Sequence, residues 1–229
     1  MNASIIIRAF NAEATIARAL ESALSQDLPK EAFEIIIVDD GSEDRTRAIL
    51  SAYERDGRVR LIRQKNGGAT QAANTGFHAA RGRFVALLDD DDEYMPDFLS
   101  ATVARLDADP SADFVCTDYF EEYRNVVRRV ALSDLFQTIV DNTLYRKASL
   151  EAEGFWRADA LFPEYDILLR TFGRWKGAHL SRPLVTYHRS KASISADREW
   201  VARALTQLSA LHPERVVEIS KIRSYALAQ

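Results

Sequence analysis

The chain has 229 residues, of which 47% are hydrophobic and 28% charged, with a formal net charge of -4. That length suits one large domain or a domain with a small appendage, and the balance is that of a globular chain. The negative charge argues against general nucleic-acid binding, which needs a basic face.

The N-terminus, Met1 to Ser4, lacks the basic region of a signal peptide, and the apolar stretch Ile5–Ile7 is too short for one. Ser4–Ile7 instead reads as a short buried strand. Glu13–Gln26 follows with Ile16, Ala19, Leu20, Ala23 and Leu24 at helical spacing. Glu34–Val38 is a second strand, ending in Asp39-Asp40-Gly41-Ser42. Asp44–Tyr53 reads as a helix, Val59–Ile62 as a strand and Thr70–Ala80 as a small-residue helix closed by Gly82. Phe84–Leu88 is a fourth strand and runs into four aspartates, Asp89 to Asp92. Pro96 then opens a helix through Leu106, at a favourable first-turn position.

The second half is less regular. Asp113–Thr117 reads as a strand that contains the single cysteine, Cys116, a core residue by context. One cysteine excludes an intrachain disulfide and fits a reducing compartment. Tyr119–Val130 suits an exposed strand or hairpin. Leu144–Arg146 reads as a strand, Lys147–Glu153 as a helix and Glu164–Phe172 as another. Leu184–His188 is a late strand, and Asp197–Leu211 and Pro213–Ala226 are amphipathic helices, which either cover the sheet or form a homodimer face. No window reaches the roughly 20 apolar residues of a membrane span. The expectation is a soluble cytoplasmic protein, still able to work at the inner membrane surface.

Strand–helix alternation predicts an α/β domain whose mostly parallel sheet has helices on both faces. Ligands of such sheets bind beyond the carboxyl ends of the strands. Phe10-Asn11, Asp39-Asp40-Gly41, Asn66-Gly67-Gly68 and Asp89 to Asp92 all fall there. No linker or repeat divides the chain, so residues 1–229 are read as a single domain, with a ligand-binding half (1–110) and a less regular half (111–229).

The aspartate run is the sharpest feature. Adjacent carboxylates repel, more so as water is excluded, and a cation at the strand end relieves this. With no string of His or Cys beside it, the ion would be hard, Mg²⁺ or Mn²⁺, and such ions keep positions open for phosphate oxygens. Helix capping accounts for Asp92 or Glu93 but not for Asp89; Asp91 is the favoured direct ligand. Asp39-Asp40-Gly41-Ser42 makes a tight turn with Gly41 at positive φ, and leaves a carboxylate able to meet a base or sugar. Asn66-Gly67-Gly68, with Asn74 and Gly76, is either a turn or a place for backbone to approach a diphosphate. Glu164 and Asp166 either serve a helix dipole or include a general base. Trp156 is either a core anchor or an exposed sugar-stacking platform. His78 and His212 read as solvated helix residues. His188 stands beside Arg189, and Arg189 or Lys191 would suit a diphosphate.

This ordered set of motifs resembles family 2 glycosyltransferases of the GT-A, Rossmann-like fold over nearly the whole chain. The resemblance rests on Phe10-Asn11, Val38–Ser42, Asn66–Gly68 followed by Ala72–Gly76, Leu88–Asp92 with Pro96, and Pro163–Arg170. It implies an inverting enzyme that moves a sugar from a UDP-, GDP- or dTDP-linked donor to a carbohydrate or lipid-linked acceptor, in cell-surface polysaccharide or glycan synthesis. Asp39 would accept from the base and Asp89 approach the ribose or the metal. Asp91 would bind Mn²⁺ or Mg²⁺. Phe10, Asn11, Gly67, Gly68, Asn74, Asp90 and Arg189 would line the donor side. Glu164 takes the catalytic-base position with Asp166 supporting it, and Trp156 falls on the acceptor side.

The chain departs from the family pattern at Ala73, where an Arg is usual, at Glu164, where the base is usually Asp, and at Arg8-Ala9, where Pro-Thr is commoner. It is also short for the family, and an acceptor-binding or membrane-docking extension is expected to be absent. Two other functions fit parts of the pattern. One is a nucleotide-sugar-binding relative without turnover. The other is a sugar-phosphate nucleotidyltransferase, whose glycine-rich basic loop is missing from Ile7–Asn11.

Overall fold

Three consecutive isoleucines set the centre of the fold. The computed structural model describes residues 1–139, 141–190 and 196–228. In strand β1 (Ala3–Ala9) Ile5 and Ile7 point to one face and Ile6 to the other, because side chains alternate along a strand. Strand β2 (Phe33–Asp39) repeats this with Ile35 and Ile37 opposite Ile36 and Val38. β1 pairs in parallel with β2 and with β4 (Phe84–Asp89), and β2 with β3 (Arg60–Arg63). Helices α1 (Ile16–Leu24), α2 (Thr46–Arg55) and α3 (Ala69–Ala79) make the crossovers. Both faces are covered, so the strands read as continuous apolar runs. One core holds Ile16, Leu20, Leu50 and Phe98; the other holds Phe77, Leu150, Ile167 and Leu208.

Gly76 lets α3 lie close to β1. A Cβ there would fall 2.3 Å from Ile6 Cγ2. Gly76→Ala is expected to lower stability by about 1–3 kcal/mol through overpacking, read as a lower urea midpoint. An unchanged midpoint would mean that α3 sits farther from the sheet.

Beyond β4 the sheet changes direction. β8 (Thr143–Arg146) pairs antiparallel with β4, and β6 (Phe114–Tyr123) pairs antiparallel with β8. β9 (Gly177–His188) lies parallel to β6, and the two-residue β5 (Glu93–Tyr94) antiparallel to β9. Among the described residues nine strands form one sheet, in the order β3-β2-β1-β4-β8-β6-β9-β5, with β7 (Val126–Val130) paired to β6. The mostly parallel sheet expected from the alternation therefore describes the first half; the second half is mixed. The first residues of β9, Gly177 to Pro183, were not legible as strand because His179, Ser181, Arg182 and Pro183 interrupt the apolar pattern. β5 is too short to leave a pattern.

The remaining helices are α4 (Phe98–Ala108), α5 (Lys147–Ala152), α6 (Pro163–Thr171), α7 (Arg198–Leu211) and α8 (Val216–Ala228). Pro96 precedes α4 rather than opening it. The 119–130 segment is a hairpin, with Arg124 and Asn125 at φ 52 and 63, as a two-residue turn requires. Only β7 is exposed; Tyr119 and Glu121 on β6 are buried. Cys116 is buried, and burial pushes its thiol up to about 12, so it is an inert core residue. No helix among the described residues is long and apolar enough to cross a membrane.

Candidate active site

The aspartate run leaves β4 and crosses to β9, where Glu93 and Tyr94 pair with Thr186 and Val185. This anchors both ends of the run above the carboxyl end of the sheet. Asp89 sits level with Arg8 on β1, whose Nε donates to Asp89 Oδ1 at 3.0 Å. On the other side Asp89 N–H donates to Asp141 Oδ1 at 2.6 Å. Asp90 accepts from Phe10 N–H at 3.0 Å; burial pushes its carboxyl up to about 7, against that hydrogen bond. Asp91 is half-buried and also raised, by burial and then by Asp89, and no other described residue hydrogen-bonds its side chain. Asp92 is buried, accepts from His188 N–H at 2.7 Å and leaves Oδ2 without a partner.

Asp89, Asp92 and Asp141 offer carboxylate oxygens within 4.8 Å of one another. This all-oxygen set fits a hard divalent ion, and Asp91 lies outside it. Asp141 was not legible in the sequence, since it depends on the antiparallel β8 starting beside the end of β4. Burial pushes both Asp92 and Asp141 well above the ordinary carboxylate range, with Asp141 adding to the shift at Asp92 and Asp89 to that at Asp141. A carboxylate raised by folding favours the folded state below its unfolded value and loses that benefit as pH rises. Without metal, Asp141→Asn is therefore expected to stabilise the protein at neutral pH, read as a higher thermal midpoint. A lower midpoint would mean the amide cannot replace the carboxylate under Asp89.

The Asp39–Ser42 turn divides its carboxylates. Asp39 Oδ1 accepts from Ser42 N–H at 2.9 Å, while buried Oδ2 has no hydrogen-bond partner and lies 3.7 Å from Arg47. Asp40 accepts from Gln64 Nε2 at 2.8 Å, Gly67 N–H at 2.9 Å and Gly68 N–H at 2.8 Å. These two glycine N–H groups are therefore held by Asp40 and are not free for a diphosphate, which corrects the expectation for that loop. Gly41 has φ +81, as the turn required, and a Cβ would fall 2.9 Å from Asn66 N. Asn11, at φ 51, accepts from Glu43 N–H at 2.8 Å and ties β1 to the same turn. Phe10 is 47% exposed.

Glu164 enters from α6, one position after Pro163. Burial pushes its carboxyl up to about 7; its own helix N–H and Arg8 oppose the shift and Asp89 adds to it. The candidate base thus sits within electrostatic reach of the Arg8–Asp89 pair. Asp166 is fully buried, with His212 Nε2 at 2.9 Å and Arg170 Nε at 2.9 Å, which suits its expected supporting place. His212 is therefore a buried partner and not a solvated residue, while His78 is exposed.

Two donor- or acceptor-side expectations fail on contacts. Trp156 is 2% exposed and packs edge-on against Phe77 at 5.4 Å, so it is a core anchor and not a stacking platform. Asn74 gives both ends of its amide to Trp156, donating to its carbonyl at 2.8 Å and accepting from its N–H at 3.1 Å. Arg189 follows β9 with its guanidinium 3.5 Å from Glu121. Lys191 lies outside the described residues. His188 bridges Glu93 at 2.7 Å and Glu122 at 3.1 Å.

Comparison with known proteins gives the family and the fold. The family described as Glycosyl transferase family 2 matches residues 4–157. Succinoglycan biosynthesis protein ExoO of Rhizobium meliloti is 44% identical over 106 residues, 46% of this chain and 30% of that protein. The putative glycosyltransferase EpsH of Bacillus subtilis is 32% identical over 170 residues, 65% of this chain and 48% of that one. The chain thus spans less than half the length of these two curated relatives. Among solved structures, S. aureus TarS 1-349 in complex with UDP superposes with a TM-score of 0.72 at 21% identity, over 92% of this chain and 65% of that one. Mannosyltransferase PcManGT from Pyrobaculum calidifontis, in complex with GDP-Man and Mn²⁺, gives 0.76 at 18% identity, over 98% and 69%. These likenesses establish the GT-A fold expected from the motifs.

Proposed function

Since the chain belongs to glycosyl transferase family 2, we propose that it transfers a sugar from a nucleoside-diphosphate donor to a hydroxyl acceptor with inversion, in polysaccharide synthesis. The observation that supports this reading is that Asp39 and Asp89 end the parallel strands β2 and β4, with Asp91 next along the run and Glu164 of α6 within electrostatic reach of Asp89. Buried Asp39 Oδ2 has no donor, and an unpaired buried acceptor is costly; an N–H of a nucleotide base would satisfy it. Phe10 offers its exposed ring face to the same base. Asp89, held by Arg8, takes the ribose side.

Asp91 would hold Mn²⁺ or Mg²⁺, with the Asp89, Asp92 and Asp141 carboxylates beside it. A bound ion supplies charge to the departing diphosphate. Glu164 takes the acceptor proton as that oxygen bonds to the anomeric carbon. The bond from the anomeric carbon to the diphosphate oxygen breaks, and its electron pair leaves with the nucleotide. One displacement inverts the centre.

A second reading, donor binding without turnover, has one observation in its favour. Ala73 is fully buried and supplies no side chain where the family usually has an Arg. Hydrolysis and transfer assays with UDP-, GDP- and dTDP-sugars, with and without Mn²⁺, separate the two. Metal-dependent nucleotide release supports transfer; tight nucleotide binding without release from any donor supports the second reading.

A further inference from the structure

The aspartate run carries its own cation. Arg8 stands on β1 opposite Asp89 on β4. Side chains two apart on a strand share a face, so Arg8 lies on the face of Ile6, whose core includes Ile167 of α6. Asp89 lies on that face too, with Val85 and Leu87. The guanidinium donates from Nε to Asp89 Oδ1 at 3.0 Å, and Nη2 donates to the same oxygen. Burial works against the charge of Arg8, but Asp89, then Asp141 and Glu164, outweigh it and hold the group above its ordinary range. Arg18, a second arginine at the run, is taken up by Glu93 at 3.2 Å and by the carbonyl of Asp91 at 2.5 Å. Among the described residues, Arg8 is therefore the cation that pairs with a carboxylate of Asp89 to Asp92.

We propose that Arg8 is a positioning residue, the resident counter-charge of the aspartate run. It holds Asp89 out of the carboxylate set that would take a free ion, so that a divalent ion binds tightly only together with the nucleoside diphosphate. The second half of the inference rests on the donor reading. Asp89, Asp92 and Asp141 bring carboxylate oxygens within 4.8 Å of one another, and such a set attracts a hard cation. Arg8 occupies Oδ1 of Asp89, and its unit charge repels an arriving ion. Both charges stand at a mostly buried place, where they act more strongly than in bulk water. A diphosphate brings negative charge that offsets the repulsion between Arg8 and the ion. Ion and nucleotide then favour each other, and by linkage they do so equally. Arginine keeps its charge throughout the working pH range, so this coupling is built in and not switched by pH.

Mn²⁺ binding to the full chain, read from the EPR signal of the free ion, tests this. Saturating UDP, or GDP or dTDP where UDP does not bind, should tighten Mn²⁺ binding to the unaltered chain at least ~10-fold. Arg8→Met keeps an aliphatic side chain on β1 and removes the charge. It should bind Mn²⁺ alone at least ~10-fold more tightly than the unaltered chain does, and gain less from the nucleotide. Arg8→Lys keeps the charge and should return the affinity for Mn²⁺ alone toward that of the unaltered chain. A residue that only supports the fold would weaken ion binding when removed, not tighten it. Mn²⁺ affinity that is unchanged or lower in Arg8→Met overturns the proposal. So does equal affinity of the unaltered chain for Mn²⁺ with and without bound nucleotide, a comparison that needs no variant to fold. If no nucleoside diphosphate binds, the donor reading fails and the coupling with it. The affinity of Arg8→Met for Mn²⁺ alone then still decides the counter-charge role.

Discussion

Glu164→Gln should lower transfer by ~10²–10⁴-fold and leave nucleotide affinity unchanged. The amide keeps the shape of the side chain and its place at the start of α6, but it cannot take a proton. The same residue sets the pH dependence. Its carboxyl is pushed up to about 7 by burial, against the pull of its own helix N–H and of Arg8. A base works ionised, so kcat/KM should rise as pH climbs through about 7 and fall below it. That limb should vanish in the variant's residual activity. Glu164→Asp restores the charge but withdraws it by about one bond length, and misplacement of that order can cost ~10²-fold. A Glu164→Gln enzyme with full activity would remove Glu164 from the chemistry.

Asp91→Asn should lower transfer by at least ~10²-fold, since a bound ion contributes several kcal/mol of charge stabilisation. It should also abolish the gain in nucleotide affinity on adding Mn²⁺. The argument is local. Asp91 is half-buried beside Asp89, and no other described residue hydrogen-bonds its side chain, whereas Asp89 is committed to Arg8 and Asp92 to the backbone of His188. Calorimetry of UDP binding with and without Mn²⁺ reads the effect. If Mn²⁺ still strengthens binding to Asp91→Asn, the ion lies on Asp89, Asp92 and Asp141 instead.

The parallel half of the fold was legible because its strands are buried on both faces and its crossovers carry helical spacing. The carboxylates at its strand ends were legible for the same reason. What escaped depended on pairing that leaves no local pattern. Asp141 enters only because β8 starts beside the end of β4, and β5 is two residues long. Asp40 and the glycines of the 66–68 loop were visible as residues, but their mutual hydrogen bonds were not, so the sequence leaves the loop as a turn or a diphosphate approach, and Asp40 holds the N–H groups of Gly67 and Gly68. Trp156 and His212 show the limit of residue type as a guide to exposure. Each is buried against a partner far away in sequence, Phe77 and Asp166. Arg8 was noticed only as a departure from a motif; in the structure it is the cation that holds Asp89 and bears on Glu164.

A crystal structure of the full chain with UDP and Mn²⁺ tests the central claim most directly. The account predicts the base against Asp39 and Phe10, the diphosphate above the end of β4, and the ion bound by Asp91 within reach of Glu164. Nucleotide density away from Asp39, or no ion near Asp91 at saturating Mn²⁺, would contradict it.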